Sequence, residues 1–449
     1  MKTECIQFEL ELQGGRTRSV VVKNDGAVVS SDGGLVILSR IEQRRRWVRR
    51  LAGCFQDKRN AERTTFPVEV LLRQLIFGLV QGYEDLVDHD VWRTDPLLAV
   101  ACGLEPYQDQ GAGKSTLSRL QLGQKDQDDR YKKLGADEDK LQRLLVELFL
   151  ESHQAQPEEI VLDFDSSDIP LHGEQEGRFF HGYYDEYCYL PLFCFFGQWP
   201  LLVQLRTSDH DGASGVLESL QWIIPMIRAQ WADTRIIIRA DSGFCRDAIL
   251  TWIESQDQAF YVVGLARNSR LEEEIEAELA VMAELCRLSG KSRRIFKELL
   301  WQTRDTWSCE RRVVAKAEAL VGKTNPRFVV TNLPPGQWPA RTLYEDLYCA
   351  RGDMENRIKE HQLQLFSIRT SCHLMRANQM RLWLSTFAYL FFVELRVHVW
   401  KGTEAGHWEP ATIRLRVLKV AATVSVSTRR TVIHLPRSHP WWQWFATVA

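Results

Sequence analysis

Apolar residues recur at helical spacing through the first third of the chain. Leu35-Val-Ile-Leu-Ser-Arg-Ile and Val68-Glu-Val-Leu-Leu-Arg-Gln-Leu-Ile-Phe-Gly-Leu-Val both follow this period, and Leu141 to Leu150 repeats it. A helical region is expected from about Leu35 to His153, after strand-like starts at Ser19-Val-Val-Val and Ala27-Val-Val. The polar run from Gln154 to Glu159 marks a boundary, and the pattern then changes. Ile160-Val-Leu-Asp-Phe-Asp is short, apolar and β-branched, as a buried strand would be. Phe179 to Phe196 and Leu201 to Leu205 read as two further strands, antiparallel about Gly197-Gln-Trp-Pro. A helix (about Gly215 to Trp231), a strand (Arg235 to Ala240), a helix (Arg246 to Ser255) and a strand (Phe260 to Leu265) follow. Three strands and then alternating helix and strand describe an α/β domain with a mixed sheet. The stretch from about Ser292 to Leu333 is strand-rich, helices return from Thr342 to about Trp400, and the sequence from Thr412 onward looks like two basic strands. The expected division is 1–155 mainly helical, 156–290 the first part of the mixed-sheet core, 291–333 a β-rich insertion, 334–400 the last part of the core, and 401–449 a basic tail with helical and β character.

Composition adds a constraint that patterning does not. The 449 residues are enough for two to four domains at roughly 100–200 residues each. Lys plus Arg is 57 and Asp plus Glu is 59, so the formal charge of −2 weighs against a uniformly basic nucleic-acid binder. The neutrality is a cancellation. Arg16 to Arg50 holds nine basic and three acidic residues, His373 to Ala449 holds ten and three, and the remainder carries −15. Ten cysteines without a CxxC pair read as reduced cytoplasmic thiols, not as a disulfide framework or zinc site. The first residues lack a basic-then-apolar signal. Tyr187 to Leu205 is uncharged but holds Pro191, Pro200 and Gly197, and the apolar run Leu382 to Val393 is only 12 residues long, so neither is expected to span a membrane.

Several motifs could carry chemistry. Gly111-Ala-Gly-Lys-Ser-Thr suggests a phosphate-binding loop, but Gln108 stands where its first glycine belongs and no buried strand precedes it. It reads as a polar loop entering a helix. Asp163 and Asp165 lie two apart in an apolar strand and share a face, while Asp241 follows Ile236-Ile-Ile-Arg-Ala at the carboxyl end of another. A charge in such a strand needs a partner or a cation, and a helix cap or an arginine partner explains either acid alone. Tyr348, Arg351, Glu355 and Gln362 fall at steps of three, four and seven along one helical stripe, with Lys359 beside Glu355. Alone this is a salt-bridge ladder. Two strand-end acids followed by a helix-borne glutamate are, in combination, the carboxylate set of a two-metal phosphoryl-transfer site, with cations roughly 3.5–4 Å apart.

Four motifs in order make a resemblance specific: Gly82-Tyr-Glu-Asp-Leu-Val-Asp-His-Asp, Leu171-His-Gly-Glu-Gln, Ala240-Asp-Ser-Gly-Phe and Tyr348-Cys-Ala-Arg-Gly-Asp-Met-Glu-Asn-Arg-Ile-Lys-Glu. With them the chain resembles the DDE transposases of bacterial insertion sequences, in the branch with a tyrosine–arginine–glutamate–lysine helix. The resemblance implies an RNase H-like core in which Asp165, Asp241 and Glu355 hold two Mg2+ ions, with Mn2+ as a substitute and Asp163 as the alternative first ligand. It implies that Arg351 steadies the glutamate or a phosphate, that Tyr348 touches DNA backbone, and that Gln362 replaces the branch lysine, whose phosphate contact is lost unless Lys359 takes it. It also implies that the insertion contacts the transposon end, where Trp301 or Trp307 could stack on an unpaired base, although either also reads as a core residue. The cluster Arg44-Arg-Arg and Arg49-Arg50 cannot all face one partner and reads either as a solvated helix or as an N-terminal DNA-binding region whose Arg45 and Arg49 face DNA backbone, and Arg414, Arg416, Lys419, Arg429 and Arg430 could add a second surface. His172 and His210 read as turn or core residues. The implied activity is cutting and joining of double-stranded DNA by a homodimer at the bacterial nucleoid. A DNA-binding repressor that has lost cleavage, or a nuclease of the same fold without strand transfer, are the alternatives.

Overall fold

The computed structural model describes residues 9–12, 20–123 and 133–448. Arg16 and Arg18 of the basic N-terminal segment, Ser19 of the first strand-like run, and Cys5 lie outside the described residues. The N-terminal region is helical where the apolar period requires it: α1 (Leu35–Arg45), α2 (Trp47–Ala52), α3 (Val68–Gln81) and α4 (Glu138–Glu151), with shorter helices between. Ten of the fourteen residues of α3 are buried, eight of them non-polar and the other two Gln74 and Gln81.

The core sheet is built on β1 (Glu159–Ser166), β2 (Leu192–Phe196), β3 (Trp199–Gln204), β4 (Arg235–Ala240) and β5 (Ala259–Leu265). Their order is β3-β2-β1-β4-β5, antiparallel on the β2 and β3 side and parallel from β1 through β4 to β5. α5 (Val216–Gln230) connects β3 to β4 and α6 (Asp247–Glu254) connects β4 to β5. Three antiparallel strands followed by two parallel crossovers make the RNase H-like mixed sheet that the alternation of elements implies.

The residues 291–333 do not form a sheet of their own. After α7 (Glu276–Ser289), β6 (Arg293–Trp301), β7 (Arg311–Leu320) and β8 (Arg327–Thr331) continue the core sheet beyond β5 in the order β8-β7-β6. Two expectations are corrected. Phe179 to Phe196 is three strands, Phe179–His181, Glu186–Tyr189 and Leu192–Phe196, because Asp185 turns the chain at φ 57° and Pro191 lacks a ladder donor. The tail begins as helix (Pro410–Ile413, then Arg414–Leu418), and its two strands, Thr423–Ser427 and Arg430–His434, come later.

The last core helix, α8 (340–364), is α-helical from Gly352 to Lys359 and wound wider at Leu343–Tyr348 and Glu360–Gln364. α9 (Met375–Val393) is buried on every side, packing against α3 and β3. With its continuation to Val399 it is, among the described residues, the one helix long and apolar enough to cross a membrane, and 83% of its apolar window lies inside the protein.

The Gly82-Tyr-Glu-Asp motif is a clasp. Asp32, fully enclosed, accepts hydrogen bonds from Tyr83 Oη (2.7 Å), Trp92 Nε1 (2.9 Å) and Lys419 Nζ (2.6 Å). Glu84 and Asp85 both pair with Arg369, beyond α8, and Arg414 donates to the carbonyls of Val80, Leu79 and Gln364. The clasp thus ties the N-terminal helices and the tail to the end of α8.

Candidate active site

β1 and β4 run in parallel with Asp163 opposite Arg239 and Phe164 opposite Ala240, so Asp165 and Asp241 follow side by side at the carboxyl ends. The two acids of β1 diverge in role. Asp163 is 4% exposed and takes a bidentate pair from Arg239 (2.5 and 2.8 Å); burial raises its pKa and the guanidinium opposes that rise. Arg239 also donates to the carbonyl of Leu347, which draws α8 onto the sheet end. The signal for this pair was an arginine inside the apolar run of β4, since a buried charge there needs an acid in register on the next strand.

Asp165 has weaker compensation. It accepts from its neighbour Ser166 N–H (2.9 Å) and from Arg351 Nη1 (2.9 Å), whose other nitrogen, Nη2, donates to Glu355 Oε1 (2.9 Å). Burial first, and then the charges of Asp241 and Glu355, push its pKa up to about 6 against the pull of Arg351 and the Ser166 amide. Asp241 accepts from Gly243 N–H (2.8 Å), which fixes the turn Ser242–Phe244 after β4. The structure therefore brings Asp165, Asp241, Arg351 and Glu355 to one place. No group of three or more His, Cys, Asp or Glu side chains is close enough to hold a metal ion among the described residues, and Arg351 bridges Asp165 and Glu355.

Neighbouring residues shape this mouth. Tyr348 packs against the Asp241 turn: a Cβ on Gly264 of β5 would lie 2.6 Å from Tyr348 Oη and 2.8 Å from Ser242 N, so only glycine leaves room. Gln362 is 7% exposed and donates to Ser167 Oγ (3.0 Å) and to the carbonyl of Asp168 (3.1 Å), joining the loop after Asp165 to α8. Arg206, missed by the sequence reading, donates to Ser166 Oγ (2.7 Å) and to the carbonyls of Leu190 and Gly212; burial lowers its pKa to about 10. Lys359 is exposed on α8. His210 pairs with Asp209 on the surface (2.7 Å).

The remaining candidates lie elsewhere. Trp301 and Trp307 are 6% and 7% exposed, covered by Arg270 at 4.6 Å and Arg311 at 5.3 Å from their ring centroids. Arg45 pairs with Glu394 (2.8 Å), Arg50 with Glu147 and Glu151, and Arg49 is exposed. Of the tail cations, Arg414 and Lys419 belong to the clasp and Arg416 is stacked at 4.5 Å on both Trp408 and Trp441, while Arg429 and Arg430 are exposed. Segment charge thus overstates the free positive surface. Lys114 of the glycine-rich loop pairs with Asp90 (3.2 Å) at the start of a surface helix.

A family model described as "Transposase DDE domain group 1" matches residues 12–449. No curated protein matches the chain. Among solved structures, a piggyBac transposase synaptic complex with hairpin DNA is similar at 12% identity, over 85% of this chain and 78% of that one, with a TM-score of 0.42.

Proposed function

This chain belongs to the DDE transposase family, and we propose that it cuts double-stranded DNA at the ends of its own insertion sequence and joins the freed 3′-hydroxyls to target DNA. The observation that carries this reading is the meeting of Asp165 and Asp241, at adjacent parallel strand ends, with Glu355 through Arg351. Asp165, Asp241 and Glu355 take the role of metal ligands. In type the donor set suits hard divalent cations, since it is all carboxylate and burial with mutual repulsion leaves Asp165 short of positive charge; Arg351 has to leave Asp165 and Glu355 before the three can close on an ion. Magnesium, with manganese as a substitute, would supply neutralisation of phosphate charge and a more acidic attacking water there.

The chain's own residues do the positioning. The turn at Ser242–Phe244 holds Asp241 at the strand end, and Arg206 and Gln362 fix the loop that follows Asp165. Arg351 neutralises the acid cluster and, once displaced from a carboxylate, is placed to donate to a phosphate oxygen. Tyr348, beside the Asp241 turn, and exposed Lys359 flank the path of a DNA strand. Trp301 and Trp307 would need to leave their arginine covers to stack on a base. Arg49 is the exposed member of the N-terminal pair offered to DNA backbone, and Arg45 would first have to leave Glu394. The glutamine at 362 marks a departure from the branch with a lysine there. A homodimer at the bacterial nucleoid completes the reading.

The test is incubation of the protein with duplex carrying its element's ends and magnesium. Cutting followed by joining is expected. Cutting without joining would make it a nuclease, and a mobility shift without nicks would make it a repressor. Unchanged cutting by Asp241→Ala would remove the metal-site assignment.

A further inference from the structure

Helix α7 presents an apolar stripe to water. Its inward residues Met282 and Cys286 pack on Ala319 of β7, while Val281, Leu285 and Leu288 are 55%, 43% and 68% exposed. Spacings of four and three residues put these three on one side of the helix, where a surface helix ordinarily carries polar residues. Lys297 of β6 pairs with Glu278 (2.9 Å), which turns that side of α7 toward the outer edge of the sheet. Ile295, on the same face of β6 as Lys297, is exposed as well. Among the described residues β6 pairs only with β7, so its other edge is open.

Charge is graded along the same feature. Exposed Glu273 and Glu274 lie just before its start, and exposed Lys291 and Arg293 lie just beyond its end. A helix with an apolar centre, an acidic start and a basic end is complementary to itself turned through a half rotation about Leu285. Antiparallel pairing lays stripe on stripe and sets each acidic end against a basic one. We propose that this face docks a second copy of the chain through two-fold, antiparallel pairing of α7. This inference is independent of the chemistry assigned to Asp165, Asp241 and Glu355.

Light scattering and sedimentation of the full chain test it. The wild-type chain is expected to be a dimer, and the double variant V281E/L285E to fall to the monomer mass of 52.0 kDa. Its circular dichroism should stay unchanged, because within one chain both side chains face water, while its melting temperature should lose the concentration dependence that a dimer confers. E273K/E274K should weaken the dimer, and addition of K291E/R293E should restore it, as only an antiparallel arrangement requires. L285C, close to the axis, should give a disulfide-linked dimer on mild oxidation, whereas A280C, on another face of the helix, should not. A wild-type chain that is monomeric both alone and on DNA, a dimer that survives V281E/L285E, or equal crosslinking of the two cysteine variants would each overturn the proposal.

Discussion

Two charge networks in this molecule use the same residue types and reach opposite ends. In the clasp, Asp32 is fully enclosed and receives side-chain donors that include Tyr83, Trp92 and the Lys419 ammonium, while Arg369 answers Glu84 and Asp85. At the strand ends, Asp165 shares one guanidinium with Glu355 and lies beside the charge of Asp241, and its pKa rises to about 6. The first arrangement is electrostatically complete. The second leaves a deficit that a cation can fill, which is what a catalytic carboxylate set requires. Number of donors per acid, more than number of acids, separates the clasp from the strand-end cluster. β1 repeats the contrast within two residues, with Asp163 fully paired and Asp165 not.

The largest effect should come from exchanging these roles. Asp165→Asn is expected to cut DNA-end cleavage by a factor on the order of a thousand or more while the protein stays folded. Asp163→Ala should act the other way: it strands Arg239 in the core, costing about 3–5 kcal/mol of stability in denaturant titration. If Asp163→Ala proved stable and inactive, and Asp165→Asn active, the assignment of the two acids would be reversed.

Much of this was legible before any coordinates. The change from helical period to β-branched runs marks the start of the core, and strand and helix boundaries from Gly215 to Leu265 fall within about two residues of those observed. Asp165, Asp241, Arg351 and Glu355 were legible because acids that end apolar runs are conspicuous and the helix motif has fixed spacing. What could not be read were pairings between distant segments. Nothing local to Arg414, Arg416 or Lys419 tells that they are spent on carbonyls, tryptophans and Asp32, so they read as a basic surface. The wide turns on both sides of Gly352–Lys359 likewise arise from packing, and they shift Gln362 off the simple stripe and against Ser167. Phe179 to Phe196 misled because aromatic content sets β character but not where a turn at Asp185 divides it.

Asp165 also makes the contrast measurable by pH. Its folded-state pKa stands above the ordinary 3.8, so the folded protein holds the proton longer than the unfolded chain does. The resulting loss of stability is absent below about 4, grows as pH rises to about 6 and is complete above that, amounting to about 2–3 kcal/mol. Metal-free wild type should therefore lose stability over that interval relative to Asp165→Asn, and the two curves should run parallel at higher pH. Parallel curves throughout would mean that Asp165 is as well compensated as the clasp acids. Gly264→Ala tests the packing beside it. A methyl group 2.6 Å from Tyr348 Oη and 2.8 Å from Ser242 N should cost about 1–3 kcal/mol and displace Asp241, with partial recovery on adding Tyr348→Phe. Full recovery would show that the Ser242 contact is relieved at no cost.

The smallest effect separates two roles for Gln362. Buried, and donating to Ser167 Oγ and the Asp168 carbonyl, it resembles a clasp residue placed inside the candidate active site. Gln362→Ala removes two neutral hydrogen bonds and should cost about 1 kcal/mol in thermal or chemical unfolding. If its role is to hold the loop after Asp165 at a set distance from Glu355, kcat for end cleavage should fall several-fold while KM for end DNA stays constant. A residue that contacts phosphate would show the reverse, a higher KM at constant kcat. Gln362→Glu sharpens the choice: it keeps the size of the side chain but loses the amide donor and places a carboxylate against the Asp168 carbonyl, so a positioning residue should suffer more from it than from alanine. Equal effects of Ala and Glu on kcat, with KM raised in both, would move Gln362 to the DNA path that the family resemblance gives this position.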